Sequence, residues 1–427
     1  MTTETNKPDS FRWTILFMLF AATTINYLDR QILAILKPVL DGEFGWSDSE
    51  YAMIMSIFQA SYAVGLTMFG WIIDKYGTRI GYAISIVWWS IGAICHAGAV
   101  GVKSMAACRV LLGLGEGGNF PASVKTVTNW FPSRELVFAT TLFNSGSNVG
   151  ALVAPACIPV IAAAWGWQYA FVAAGALGLL WVVFWLRMPK APRTQLAEET
   201  AQAVCEEKAE VKAVPWKDLL KYRQTWSLII VRFMTDPIWW FFLFWLPDFF
   251  NKQFGCDIKE SALPLITIYA LVTVLSILGG SLTKFLSSRG WSINKVRKVT
   301  MVFFAACVLP VIFAQSMGMW AIVCVLGLAG AAHQAWSASA YTLGSDMFPK
   351  SDVASVTGLT GMAGQVGSVL FQSAVGFTLA YYAEQGNAAQ GYDVIFIVCG
   401  CAYLAAFVLF NLIVPKISMI HEDSIKS

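Results

Sequence analysis

Charged side chains inside long apolar runs are the residues of this chain that most need a chemical reason. Asn26-Tyr27-Leu28-Asp29-Arg30 interrupts an apolar run that begins at Phe11. Asn26 and Arg30 are four apart and share a helical face, and Tyr27 joins them at three from Arg30. A second string, Arg109-Val110-Leu111-Leu112-Gly113-Leu114-Gly115-Glu116, sets a base and an acid seven apart. On a helix these two share a face about 10 Å apart along the axis. A charge at the centre of a bilayer costs at least about 2.5–3.5 kcal/mol, so each of these groups needs a partner or a task. Two acids and two bases sum to zero and could serve only to lock two helices together. A lock has no use for a second, displaced acid. Protonating one acid instead leaves the cluster positive and suited to an anion. With the first run directed outward and the fourth inward, Asp29 and Arg109 fall at similar depth and can pair. Glu116 lies near the midplane, where a carboxyl is costliest to ionise.

A second group of candidates lies further along. His333-Gln334-Ala335-Trp336 stands about fifteen residues into its run, and Asp236-Pro237-Ile238-Trp239-Trp240 lies within another. A Trp commonly packs or marks an interface, and a lone His is commonly a satisfied core group. At that depth, however, an aromatic face beside hydrogen-bonding groups suits a polyol. Tyr62, Asn144, Ser147, Asn148 and Gln365 could contribute from other runs, the last beside Gly361, Gly364 and Gly367. Gly113-Leu114-Gly115-Glu116-Gly117-Gly118 matches the GxGxxG dinucleotide pattern. That pattern needs a preceding strand, whereas these glycines lie within an apolar helix. The reading here is close helix packing, as for Gly146 and Gly150. The nine cysteines form no CxxC pair and most lie in apolar runs, which argues against a disulfide framework and a zinc site. No metal or cofactor is expected.

The elements that must position these groups follow from composition. The chain has 427 residues, 57% hydrophobic and only 13% charged. A soluble domain carries about 25% charge, so this chain could not cover a water-facing surface. A net charge of +3 with dispersed basic residues argues against nucleic acid as a partner. Apolar runs predict twelve spans, at about 11–33, 50–72, 80–100, 104–128, 138–163, 168–188, 226–250, 262–286, 298–315, 318–345, 354–380 and 392–415. The expected fold is an all-α membrane protein of two six-helix bundles, residues 1–188 and 226–427, joined by a charged cytoplasmic linker at 189–225. The first apolar run extends past any cleavage site near Ala21-Ala22, so it reads as a retained helix. With both termini inside, cytoplasmic segments hold 22 of the Lys and Arg residues. The outer loops would hold only Lys37, Lys103, Lys252 and Lys259, with Arg30, Arg109 and Arg232 inside spans. The positive-inside rule favours this orientation.

Gly70-Trp71-Ile72-Ile73-Asp74-Lys75-Tyr76-Gly77-Thr78-Arg79 closes the second span. It resembles the signature loop of the major facilitator superfamily. The corresponding Gly280-Ser281-Leu282-Thr283-Lys284 keeps the glycine and lacks the acid. Asn26 to Arg30 and Arg109 to Pro121 are similar to the anion:cation symporter branch of that superfamily, and AHQAWSAS at 332–339 looks most like its bacterial hexuronate transporters. The resemblance runs through all twelve spans. It implies a monomer in the bacterial inner membrane that imports a sugar acid such as galacturonate or glucuronate with protons, by alternating access. It also implies that Arg30 binds the substrate carboxylate near Tyr62, that Asp29 and Glu116 are proton-linked, and that Arg109 partners Asp29. Similar members carry galactonate, glucarate and other acids, and an uncoupled uniporter is the alternative mechanism. A membrane-embedded enzyme would need a nucleophile with a base, or a metal cluster; His96 and His333 supply neither. A sensor would need a signalling domain, for which the linker is too short.

Overall fold

The computed structural model describes residues 8–131, 136–189, 216–348 and 350–420, so most of the expected linker lies outside the described residues. Among the described residues every regular element is helical. The first half holds α1 (Pro8–Phe44), α2 (Asp48–Cys95), α3 (Val102–Glu116), α4 (Asn119–Trp130), α5 (Leu136–Asn144), α6 (Gly146–Trp165) and α7 (Trp167–Arg187). The second holds α8 (Arg223–Phe254), α9 (Ala262–Ser288), α10 (Ile293–Val308), α11 (Met319–Met347), α12 (Lys350–Glu384) and α13 (Ala388–Ile413). Ten segments of these are long and apolar enough to cross a membrane, and Ala262–Ser276 is a shorter apolar stretch. The consecutive helices α3 and α4 account for the remaining expected span.

Several helices depart from the continuous runs expected, each for a local reason. The second and third spans merge in α2 across Gly77, whose φ of 81° and ψ of 163° interrupt the helix within the signature loop. Only glycine adopts that backbone without strain. Gly117 and Gly118 part α3 from α4 directly after Glu116, and Ser145 parts α5 from α6. Beyond α10 the chain tightens to a 3₁₀ helix at Leu309–Ser316, where Pro310 lacks the N–H that an α-helix would use. Lys37, Lys103 and Lys252, expected in outer loops, lie in the ends of α1, α3 and α8, because these helices run beyond their apolar cores.

The chain divides into two compact units, Met1–Gly45 with Ile57–Cys205, and Trp46–Ser56 with Glu206–Ser427. In the first, small residues bring backbones together. A Cβ on Gly146 or Gly150 of α6 would sit 2.5 Å from the carbonyl oxygen of Phe20 or Thr24 on α1. A Cβ on Gly113 of α3 would sit 2.8 Å from the Phe58 carbonyl oxygen, and one on Gly117 would sit 2.8 Å from Gly65 Cα. The GxGxxG segment is therefore a packing surface against α2, and it fixes the height at which Arg109 and Glu116 meet their neighbours. In the second unit, Trp245 Nε1 donates to Gln372 Oε1 at 2.5 Å. Phe249 there packs on Tyr392 and Phe396, with centroids 5.1 and 5.0 Å apart. Large apolar side chains such as Phe17, Leu177, Leu278 and Phe377 point outward, with Trp13, Trp165, Tyr169, Trp226 and Trp320 exposed near helix ends. An apolar exterior with aromatic ends suits a bilayer.

Candidate functional site

The first unit gathers the buried charged residues of α1 and α3 around aromatic residues of α1 and α2. Arg30 Nε donates to Glu116 Oε2 at 2.5 Å, with both side chains buried. The guanidinium carbon of Arg30 lies 4.7 Å from the Tyr27 ring centroid and 4.5 Å from that of Tyr62. Phe58 stands between the two arginines, its centroid 5.9 Å from the Arg30 guanidinium and 5.3 Å from that of Arg109. Arg30 is thus held by one acid and three aromatic faces, which fixes the plane of its fork. Asp29 is fully buried, and neither of its carboxylate oxygens accepts a hydrogen bond. It is within electrostatic reach of Glu116, Arg109 and Arg30. The expected Asp29–Arg109 pairing therefore does not take the form of a hydrogen bond; the hydrogen-bonded pair is Arg30–Glu116. Helix spacing gives depth but not the rotation that decides which acid meets which base.

Asn26 is also fully buried, with neither amide atom hydrogen-bonded, and Gln59 on α2 is in the same condition. Burying unbonded amides is costly, so these four polar atoms are groups that water or a substrate would satisfy. Phe58 and Gln59 escape a search for charges in apolar runs. Their signal is positional, since Gln59 precedes Tyr62 by three and shares its face. Asn148 is half-buried on α6, two residues before Gly150, whose added Cβ would meet Tyr27. His96 is held on one side only: its Nδ1 lies 2.7 Å from the Gly92 carbonyl and its ring stacks on Phe171 at 4.7 Å, while its buried Nε2 has no hydrogen-bond partner.

In the second unit, Trp239 on α8 stacks on His333 of α11, with centroids 5.5 Å apart and planes 3° apart. His333 Nδ1 lies 2.6 Å from the Tyr403 hydroxyl. Trp336 is completely buried, donates its Nε1 proton to Thr235 Oγ1 at 3.2 Å, and packs edge-on against Tyr403 at 5.4 Å. Its ring is thus occupied by protein, while Trp239 and Gln334 are half-buried. Gln365 on α12 keeps a buried Oε1 without a donor. Beside it, Arg232 and Asp236 of α8 form an ion pair at 2.8 Å. Farther along α8, Lys252 Nζ binds both Asp48 oxygens at 2.7 Å and Asp248 at 2.9 Å, and Tyr392 donates to Asp248 at 2.5 Å. In the signature loop, Arg79 donates to the Leu186 carbonyl oxygen, and Lys75 lies 4.7 Å from the Trp71 ring. Gly70 has open space around its α-carbon, and the Asp74 side chain lies outside the described ones.

This arrangement is one of buried, paired charges and aromatic clusters on apolar helices. Among the described residues no three His, Cys, Asp or Glu side chains are grouped to hold a metal ion. A family model described as Major Facilitator Superfamily matches residues 19–372. The chain belongs to the Major Facilitator Superfamily. It is accordingly a multi-pass membrane transporter and not an enzyme. The chain is 32% identical over 383 residues to the hexuronate transporter of Escherichia coli (strain K12), covering 87% of this chain and 88% of that one. It is 31% identical over 265 residues to the galacturonate transporter of Dickeya chrysanthemi, covering 60% and 77%. Among solved structures, the inward-facing, occupied form of a bacterial homolog to human lysosomal transporter Spinster superposes with a TM-score of 0.78 at 17% identity. That match covers 96% of this chain and 97% of the other, and it speaks for the fold alone.

Proposed function

We propose that this superfamily member imports a hexuronate, such as galacturonate or glucuronate, together with protons across a bacterial inner membrane by alternating access. The observation that carries the reading is the buried Arg30–Glu116 pair, with the unbonded acid Asp29 beside it in sequence. When Glu116 takes a proton, it no longer neutralises Arg30, and the guanidinium becomes free to receive a carboxylate in two parallel hydrogen bonds. When the proton leaves, Glu116 reclaims Arg30 and displaces the anion. The proton on Glu116 and the substrate on Arg30 therefore arrive and leave together, and this is coupling in its simplest form. Asp29 is the second proton-linked acid, held near Arg109, and Tyr27, Tyr62, Asn26 and Asn148 contribute to the same anion site. The sugar hydroxyls are read by His333, Gln334 and Gln365, with the Trp239 ring as an apolar face and Trp336 bracing it. The similarity to hexuronate and galacturonate transporters supports the choice of substrate. Both termini and the linker are cytoplasmic, an orientation that the distribution of Lys and Arg favours.

The test is uptake of labelled galacturonate, glucuronate and galactonate into proteoliposomes, with and without an inward proton gradient. Gradient-driven accumulation with hexuronates preferred supports the reading. Preference for galactonate or a sugar diacid would move the substrate, and accumulation indifferent to the gradient would make the protein a uniporter.

A further inference from the structure

Three helices of the second unit meet at a chain of hydrogen bonds whose proton order the geometry sets. Tyr403 on α13 is completely buried. Its hydroxyl lies 2.6 Å from His333 Nδ1 on α11 and 3.4 Å from the Thr235 carbonyl oxygen on α8. A phenol has one proton to give, and a carbonyl oxygen can only accept. Both contacts are therefore made at once only when Tyr403 donates to the carbonyl and accepts from Nδ1–H. A neutral imidazole carries one N–H, so His333 Nε2 is then an acceptor. The neighbouring rings hold the imidazole in this orientation. The Trp239 ring lies 3° from parallel to it with centroids 5.5 Å apart, and the Tyr403 ring meets it edge-on at 86°. Trp336 Nε1 donates to the Thr235 hydroxyl at 3.2 Å, which ties α11 to the same turn of α8.

We infer that Tyr403 is a positioning residue for substrate recognition: it fixes the proton of His333 on Nδ1, so that Nε2 presents a lone pair to a hydroxyl donor. The inference rests on the proposed function, in which His333 reads a sugar hydroxyl, and it concerns the second unit alone. A hydroxyl can donate or accept, whereas an ether oxygen can only accept. A lone pair at Nε2 therefore selects hydroxyls and turns ethers away, a preference that an imidazole free to change tautomer would not have. A brace between α11 and α13 would serve equally well with the proton on either nitrogen. Here the Thr235 carbonyl, by taking the Tyr403 proton, makes the choice.

The experiment combines nitrogen NMR of protein labelled at histidine with galacturonate binding by calorimetry. The chain has 3 histidines, and His333→Phe, which keeps a ring against Trp239, identifies the His333 signals by their loss. Wild type should show a protonated Nδ1 and an unprotonated Nε2 at His333. In Tyr403→Phe the Nδ1 proton loses its acceptor, and the signals should move toward the tautomer protonated at Nε2. Galacturonate binding should weaken by about threefold to tenfold, the worth of one net hydrogen bond. In a His333→Phe background the same substitution should change binding by less than about twofold, because the effect passes through His333. Wild-type signals with the proton on Nε2 overturn the inference, a result that needs no variant to fold. An equal loss of binding on Tyr403→Phe in both backgrounds also overturns it. Either result leaves the proposed function standing so long as wild type binds galacturonate. Wild type that fails to bind galacturonate overturns the proposed function and the inference together.

Discussion

Replacing Arg30 is the perturbation whose consequences the geometry constrains most. Its guanidinium holds Glu116 at 2.5 Å and lies within 4.7 Å of two tyrosine ring centres. In the substrate-bound state the same fork would make two charge-assisted hydrogen bonds, each contributing roughly 1.5–3 kcal/mol. Arg30→Ala should therefore weaken galacturonate binding by about a hundredfold or more. Arg30→Lys keeps the charge and loses the planar fork, and a lysine ammonium is a compact, strongly hydrated point charge that stacks less well on rings. If fork geometry matters, the lysine variant should be nearly as weak as the alanine one. Galactose, lacking the carboxylate, cannot take the place of Glu116 on Arg30 and should not compete. Calorimetry on purified protein with galacturonate and galactose, for wild type and both variants, measures all of this. Equal affinity of wild type for acid and neutral sugar would refute the reasoning, as would normal galacturonate binding by Arg30→Ala.

Other consequences are independent of that site. In a cysteine-free background, Thr200→Cys and Ala388→Cys should be labelled from opposite sides of the membrane, and labelling of position 200 in intact cells by an impermeant reagent would contradict the topology. Gly117→Ala places a methyl against the Gly65 backbone; overpacking of this kind costs about 1–3 kcal/mol, so the variant should melt at a lower temperature than wild type in detergent. Unchanged melting would show that α2 and α3 can separate freely. Burial, helped by the nearby Glu260 and Asp257 carboxylates, pushes the Cys256 thiol up from its ordinary value. Because the thiolate is the reactive form, Cys256 should alkylate slowly at neutral pH and faster as pH rises. Alkylation at pH 7 as fast as a free model thiol would refute that environment.

How far the sequence revealed this molecule differs between levels. Spans were legible because a bilayer imposes length and apolarity that no other element mimics. The glycines of α3 were legible as packing residues because their pattern lacks a strand before it. Breaks at Gly77, Gly117-Gly118 and Ser145 were not, since apolar content continues through each of them. The intramembrane charges could be found but not paired: periodicity placed Arg109 and Asp29 at one depth, whereas the rotation of α1 gave Glu116 to Arg30. Trp336 shows the same limit. Its spacing set its depth, but only the positions of Thr235 and Tyr403, on α8 and α13, show that its ring is enclosed. Gln59 and Tyr403 carry no local signal strong enough to single them out, because one polar residue per apolar helix is common.

The central claim is that a proton on Glu116 and an anion on Arg30 are bound and released together. It is tested most directly by following lumenal pH with a trapped dye while galacturonate is added outside proteoliposomes. The account predicts that wild type acidifies the lumen as galacturonate enters. Glu116→Gln, which mimics the protonated acid and cannot release a proton, should lose acidification and uphill uptake while still exchanging internal for external galacturonate. Galacturonate entry without acidification in wild type, or normal gradient-driven accumulation by Glu116→Gln, would contradict it.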